Sequence, residues 1–309
     1  MWSDGVPPKV LAAPIMQNQS QFPSQGDSPL PVWQCGSYRL QFVRPAIMAI
    51  INVTPDSFSG DGLGGSADAA LRQAEQALRD GATILDVGGE STRPGSASVP
   101  LKEELARVIP TVRALATLGV PVSVDTVKPE VMRESIVAGA AIINDINALR
   151  EPGAVEAVAQ SDAGVCLMHM QGQPRTMQQA PMYRDVAAEV VTFLQERVAA
   201  VMQAGVAAER ISLDPGFGFG KTLEHNLELF RALPQLCNKG FPILVGVSRK
   251  TMIGAVTGRA VNERVMASVA TAMLAAQKGA AILRVHDVAA TRDALAMWAA
   301  IDLADATAY

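Results

Sequence analysis

The chain has 309 residues, of which 49% are hydrophobic and 18% charged, and its formal net charge is −4. That much apolar material excludes intrinsic disorder over most of the length. The mild acidity excludes a broad cationic field for nucleic acid or an anionic membrane, so an anionic substrate needs a few locally placed Arg and Lys side chains.

No apolar run approaches the ~18–20 residues of a membrane span. Residues 10–16 are short and interrupted by Pro14, which argues against a secretory signal. Cys35, Cys166 and Cys237 are widely spaced, odd in number and form no C-x-x-C pair. They point away from a disulfide framework or a zinc site and towards a reducing cytoplasm.

Residues 1–31 are rich in Pro, Gln and Ser without a sustained hydrophobic period, and are expected to form a disordered leader. Residues 32–309 are then expected to form a single domain. Residues 32–43 hold two strand-like pieces around Gly36-Ser37, the pattern of a hairpin. From Ile47 onward one theme repeats: a short apolar run, a polar or glycine-rich loop, then a segment of helical period. The eight runs are 48–53, 83–87, 121–124, 141–143, 165–168, 211–213, 242–245 and 281–285. None alternates strictly, as expected of parallel strands buried on both faces.

Helices are predicted over 67–79 with Ser66 as N-cap, 101–115, 186–202 and 263–277. In 101–115 the residues Leu101, Leu105, Val108, Ile109, Val112 and Leu115 share a stripe, and Pro110 predicts a kink. Gly81, Gly119, Gly139, Gly205, Gly240 and Gly279 mark helix exits. This is an α/β pattern that favours a closed (β/α)8 TIM barrel over an open doubly wound sheet. In a barrel, functional groups belong just after the strands.

The strand ends are rich in such groups. They are Asn52 and the loop to Gly62, residues 88–95 with Thr92, Arg93 and Pro94, then Asp125, Asn144-Asp145, Met168-His169, residues 214–221, residues 246–250, and Arg284 with His286. Each has a plainer use. Asp125 and Asp145 are ordinary helix N-caps, Asp56 shapes a turn after Pro55, Asn144 ties its own loop, and His169 or His286 is a hydrogen-bonded structural histidine. Arg93 is a solvated loop charge, and Lys221 faces water. Convergence on one rim weighs against these readings taken together.

Residues 216–222 fail as a phosphate loop, because Pro215 stands where the motif needs glycine. They suit backbone passing close to a flat ligand, with Phe217 or Phe219 available to stack. Gly88-Gly89 admits the same reading, or simple tight packing. Asp125, Asn144 and Asp214 suit an amino-pyrimidine edge, and carboxylates there make charge-assisted hydrogen bonds. Arg93, Arg284 and His286 suit phosphate oxygens. The amide oxygen of Asn52 suits a magnesium ion whose other ligands are phosphate and water. The implied ligand is a heterocycle bearing phosphate or diphosphate.

The segments INVTPDSFS (51–59), DVGGESTRPG (86–95), VDT (124–126), NDINAL (144–149), MHMQG (168–172), LDPGFGFGK (213–221), GVSRK (246–250) and RVHD (284–287) resemble the dihydropteroate synthase family of pterin-binding barrels. The likeness runs over roughly residues 45–300. It implies joining of 6-hydroxymethyl-7,8-dihydropterin diphosphate to p-aminobenzoate, with Mg2+ as cofactor, sulfonamide competition and a cytoplasmic homodimer. It also implies that Asp125, Asn144, Asp214 and Lys250 hold the pterin, with Asp214 on the 2-amino/N3 edge. Arg284 and His286 match the diphosphate site and Asn52 the metal ligand. Phe58, Thr92, Arg93 and Pro94 lie in two loops over p-aminobenzoate and departing diphosphate. Met168 and Phe219 complete the substrate-binding set, and Asp125, Asp214, Lys250 and Arg93 the catalytic one. After Ser59 the family reading Asp-Gly-Gly is replaced by Gly60-Asp61-Gly62, which leaves open whether Asp56 or Asp61 supports the metal. A corrinoid-linked pterin methyltransferase and a catalytically silent pterin-binding paralogue are the alternatives.

Overall fold

A computed structural model describes residues 31–53, 63–91, 98–174 and 176–302. The expected leader therefore lies, up to residue 30, outside the described residues. Strands β1 (Val32–Cys35) and β2 (Tyr38–Gln41) form the predicted antiparallel hairpin, which turns at Gly36 with φ +57°.

The eight apolar runs become β3 (Ala46–Asn52), β4 (Ile84–Gly88), β5 (Val122–Asp125), β6 (Ile142–Asp145), β7 (Gly164–Met168), β8 (Ile211–Asp214), β9 (Leu244–Val245) and β10 (Ile282–Val285). They pair in parallel in the order β8-β7-β6-β5-β4-β3-β10-β9. A parallel bridge from Leu213 to Ile243, just ahead of β9, joins the two ends. This is a (β/α)8 barrel. Its strands are continuous apolar runs because one face meets the barrel interior and the other the surrounding helices.

Those helices are α1 (Leu63–Arg79), α2 (Leu101–Leu115), α3 (Pro129–Val137), α4 (Ala154–Ala159), α5 (Val186–Gln203), α6 (Leu223–Arg231), α7 (Leu233–Cys237), α8 (Thr251–Thr257), α9 (Val265–Gln277) and α10 (Val288–Asp302). Three expectations need correction. Ser66 lies inside α1 rather than capping it. The buried stripe of α2, the helix that holds Pro110, begins one turn late, with Leu101 exposed and Glu104 buried in its place. Residues Val261–Glu263 form a separate 3-10 turn before α9. The six predicted exit glycines all have positive φ.

The hairpin closes one end of the barrel. Trp33, Cys35, Leu40 and Phe42 pack on Met48, Ile84, Ile142, Cys166, Leu244 and Ile282, which lie towards the strand starts. The Trp33 indole N–H donates to Arg210 O at 3.0 Å. The opposite end, where the strands finish, is left to carry function. Among the described residues no helix is long and apolar enough to cross a membrane.

Candidate active site

Parallel register sets the first row of side chains. Asn52 pairs with Gly88, Gly88 with Asp125, and Asp125 with Asn144, all at strand ends. On the other side Met168 pairs with Asp214. Asp125, Asn144 and Asp214 are all buried.

Asp125 caps no helix, since α3 begins after Lys128 with no side-chain cap. Its Oδ2 accepts from Arg284 Nη2 at 2.9 Å, while its buried Oδ1 has no partner among the described residues. An unsatisfied buried acceptor is costly, and a ligand N–H would relieve it. Burial pushes the carboxyl up to about 7, against the pull of the Arg284 charge. Asp145 caps no helix either, since α4 begins after Gly153, and it is a turn-holding residue instead. Its oxygens accept from the N–H groups of Asn147 and Leu149, both at 2.7 Å, and hold a turn in which Ala148 and Leu149 are left-handed.

Arg284 also donates from Nε to Asp86 Oδ2 at 2.6 Å, and Ser123 Oγ donates to Asp86 Oδ1 at 2.6 Å. Asp86 is fully buried and was not among the expected site residues. Its signal was present in the sequence: one carboxylate inside an apolar strand run needs a cation, and Arg284 interrupts another such run. The acidic and cationic groups thus touch, whereas the sequence suggested two separate zones.

Asp214 Oδ1 accepts from the Gly216 N–H at 2.7 Å. Burial raises its pKa, and Lys250, that N–H and Lys221 act in the opposite sense. Lys250 Nζ donates to Phe217 O at 2.5 Å and stands 4.7 Å from the Phe219 ring centroid. Burial brings this lysine down to about 8. Phe219, Met168, Ile146, Met170 and Met177 form one apolar cluster. A cleft of about 470 Å³ opens beside it, with Asp125, Thr126, Ile146 and Met170 in its walls. An apolar slot edged by carboxylates is what a flat polar heterocycle requires.

His286 Nδ1 lies 3.0 Å from Ser248 Oγ, and the same oxygen accepts from the His286 backbone N–H at 3.2 Å. A hydroxyl that donates to Nδ1 leaves Nε2 carrying the ring proton. Arg249 pairs with Asp287 through two bonds of 3.0 and 2.5 Å. Beyond the expected set, Lys128 Nζ joins Glu90 and the buried Glu104, each at 2.5 Å.

The glycine expectations are partly corrected. A Cβ on Gly216 would lie 1.9 Å from His169 O, and one on Gly220 2.4 Å from Gln171 O. These glycines admit neighbouring backbone rather than a ligand. Gly89 likewise meets Val108, as the packing alternative required. Phe217 is fully buried against Phe230 and cannot stack on a ligand. Lys221 is buried, not solvated. Phe58, Thr92, Arg93 and Pro94 lie outside the described residues, as do Asp56 and Asp61.

A Cβ on Gly88 would sit 3.9 Å from both Asn52 Oδ1 and Asp125 Cβ, so the glycine leaves a cradle in front of the amide oxygen. Among the described residues no group of three or more His, Cys, Asp or Glu forms a metal cage. A single neutral oxygen beside an open cradle fits a magnesium ion completed by substrate phosphate and water.

A family model described as pterin binding enzyme matches residues 48–286. The chain belongs to the pterin-binding enzyme family. Dihydropteroate synthase of Escherichia coli strain K12 is 53% identical over 257 residues, covering 83% of this chain and 91% of its own. A crystal structure of Burkholderia cenocepacia dihydropteroate synthase complexed with 7,8-dihydropteroate is 52% identical at a TM-score of 0.81, covering 88% and 97% of the two chains. Xanthomonas albilineans dihydropteroate synthase with 4-aminobenzoic acid is 51% identical at a TM-score of 0.83, covering 88% and 98%. As a pterin-binding enzyme the chain presents Asp125, Asn144, Asp214, Lys250, Met168 and Phe219 at one end of its barrel, with Arg284 joined directly to Asp125.

Proposed function

We infer that the chain joins 6-hydroxymethyl-7,8-dihydropterin diphosphate to p-aminobenzoate, giving 7,8-dihydropteroate and diphosphate. The observation that carries this reading is the orphaned, buried Asp125 Oδ1 at the wall of a cleft that opens beside the Phe219 cluster, in a chain so close to dihydropteroate synthases.

The bond from the pterin methylene carbon to the diphosphate oxygen breaks, and the electron pair leaves with diphosphate. The amine nitrogen then bonds to that carbon and passes its proton to water. Cationic charge spread over the pterin in between is stabilised by Asp214 and Asp125, which act strongly in a water-poor pocket. The Phe219 and Met168 side chains exclude water from the ring faces. Arg284 and His286, with Arg93 from its loop, hold the departing anion. Asn52 would hold Mg2+, which supplies charge neutralisation to the diphosphate when bound. The arylamine is a free nucleophile at neutral pH, so the site needs no dedicated base.

Exposed Met266, Met297 and Ile301 on α9 and α10 support a homodimer through this flank, checked by light scattering. The cytoplasmic setting is supported by three free cysteines, two of them buried. The functional test is a steady-state assay with the pterin diphosphate, p-aminobenzoate and Mg2+. Turnover that sulfonamide inhibits is expected; pterin binding without turnover would instead favour a silent paralogue.

A further inference from the structure

The Gly220-Lys221-Thr222 sequence, which fails as a phosphate loop, has another use in the fold. The stretch 214–221 leaves β8 and carries two groups of the pterin slot, Asp214 and Phe219. Backbone outside regular structure must find partners for its carbonyls. Within it the Phe219 N–H donates to Gly216 O at 3.1 Å. Side chains serve five consecutive carbonyls. Lys221 Nζ donates to Gly216 O at 2.9 Å and to Phe219 O at 3.0 Å. Lys250 serves Phe217 O at 2.5 Å, Gln178 serves Gly218 O at 2.5 Å, and the Tyr183 hydroxyl serves Gly220 O at 2.8 Å.

Lys221 is central to this arrangement because it bridges both ends of the turn. Its third proton goes to His169 Nδ1 at 2.9 Å, so every ammonium donor is used. The side chain is 3% exposed. Burial lowers the lysine to about 7 and the histidine to about 3, which keeps His169 a neutral acceptor at neutral pH. The His169 backbone N–H donates to Asp214 O at 3.0 Å, so β7 and its exit hold the stretch at both ends. A buried ammonium with no carboxylate bonded to it is costly. In this fold it sets where Asp214 and Phe219 stand.

We propose that Lys221 is a positioning residue of the pterin site: its buried ammonium, bonded to His169, Gly216 and Phe219, locks the stretch that aims Asp214 and Phe219 into the slot. This rests on the reading of the slot as the pterin pocket. Diphosphate is held from Arg284 and His286, which belong to β10 and its exit rather than to the locked stretch after β8, and this separates positioning from general damage.

The test is calorimetric titration of 6-hydroxymethylpterin and, separately, inorganic diphosphate into the wild-type chain and Lys221→Met. Pterin affinity is expected to fall about tenfold or more, as small misplacements of aligned groups do, while diphosphate affinity stays within about twofold. His169→Phe, which keeps a ring against Phe193 but removes the acceptor, is expected to show the same split with a smaller loss, and it decides the matter if Lys221→Met does not fold. Equal loss of both ligands, or loss of neither, overturns the proposal. A wild-type chain that binds no pterin would overturn the functional reading instead.

Discussion

At the scale of single residues, the acidic pair sets the chemistry. Asp214→Asn keeps the shape and the Gly216 bond but removes the charge that faces the developing cation, so turnover should fall by about 10²–10³-fold. Near-normal kcat in that variant would remove the charge role. Asp125 carries a pH dependence. Its pKa in the fold, about 7, lies above the ordinary 3.8 of an aspartate, so the folded chain binds this proton more tightly than the unfolded one. Its contribution to stability therefore declines as pH rises between those values. Pterin binding needs the ionised acceptor and runs the other way. Affinity should drop as pH falls below about 7, and a calorimetric series between about pH 5.5 and 8.5 checks the sign. A flat profile would contradict it.

Asp125, Asn144, Asp214, Arg284 and His286 were legible because they are polar groups at the ends of apolar runs. Glu104 and Lys221 were not, and Asp86 showed only as a charge inside an apolar run, without its partner. Their roles come from partners about 22, 52 and 198 positions away in sequence, and a lone charge within or beside an apolar run does not say which distant residue meets it.

At the scale of elements, the runs and their order were legible because parallel barrel strands leave an unbroken apolar signature. Boundaries that depend on local competition were not, as Ser66 inside α1 and the displaced stripe of α2 show. The glycine stretch was misread for a similar reason. Its φ values were foreseeable, but the neighbouring backbone that needs the space is contributed by the β7 exit. Gly216→Ala, at φ +69° with a Cβ 1.9 Å from His169 O, should cost about 3 kcal/mol or more in a denaturant melt. Gly240→Ala, at φ +85° with nothing within 4 Å, should cost only about 1–2 kcal/mol. Equal costs would show that conformation alone, and not close approach, makes residue 216 a glycine.

At the scale of the whole molecule, the barrel has a sealed end and a working end. Trp33 anchors the seal, is fully buried and bonds to Arg210 O across the floor. Trp33→Ala should lower unfolding free energy by about 3–5 kcal/mol while leaving KM for both substrates close to wild type, because Trp33 packs among side chains towards the strand starts. A large change in KM with little loss of stability would mean that the two ends are coupled.

The central claim is that Asp125 and Asp214 grip the pterin edge while Arg284 and His286 face the diphosphate. A crystal structure with a pterin and diphosphate bound tests it most directly. The account predicts pterin N–H groups within about 2.7–3.2 Å of Asp125 Oδ1 and an Asp214 carboxylate oxygen, with diphosphate oxygens on His286 and the Arg284 guanidinium. A pterin seated with neither carboxylate in hydrogen-bond reach, or diphosphate bound away from β10, would contradict it.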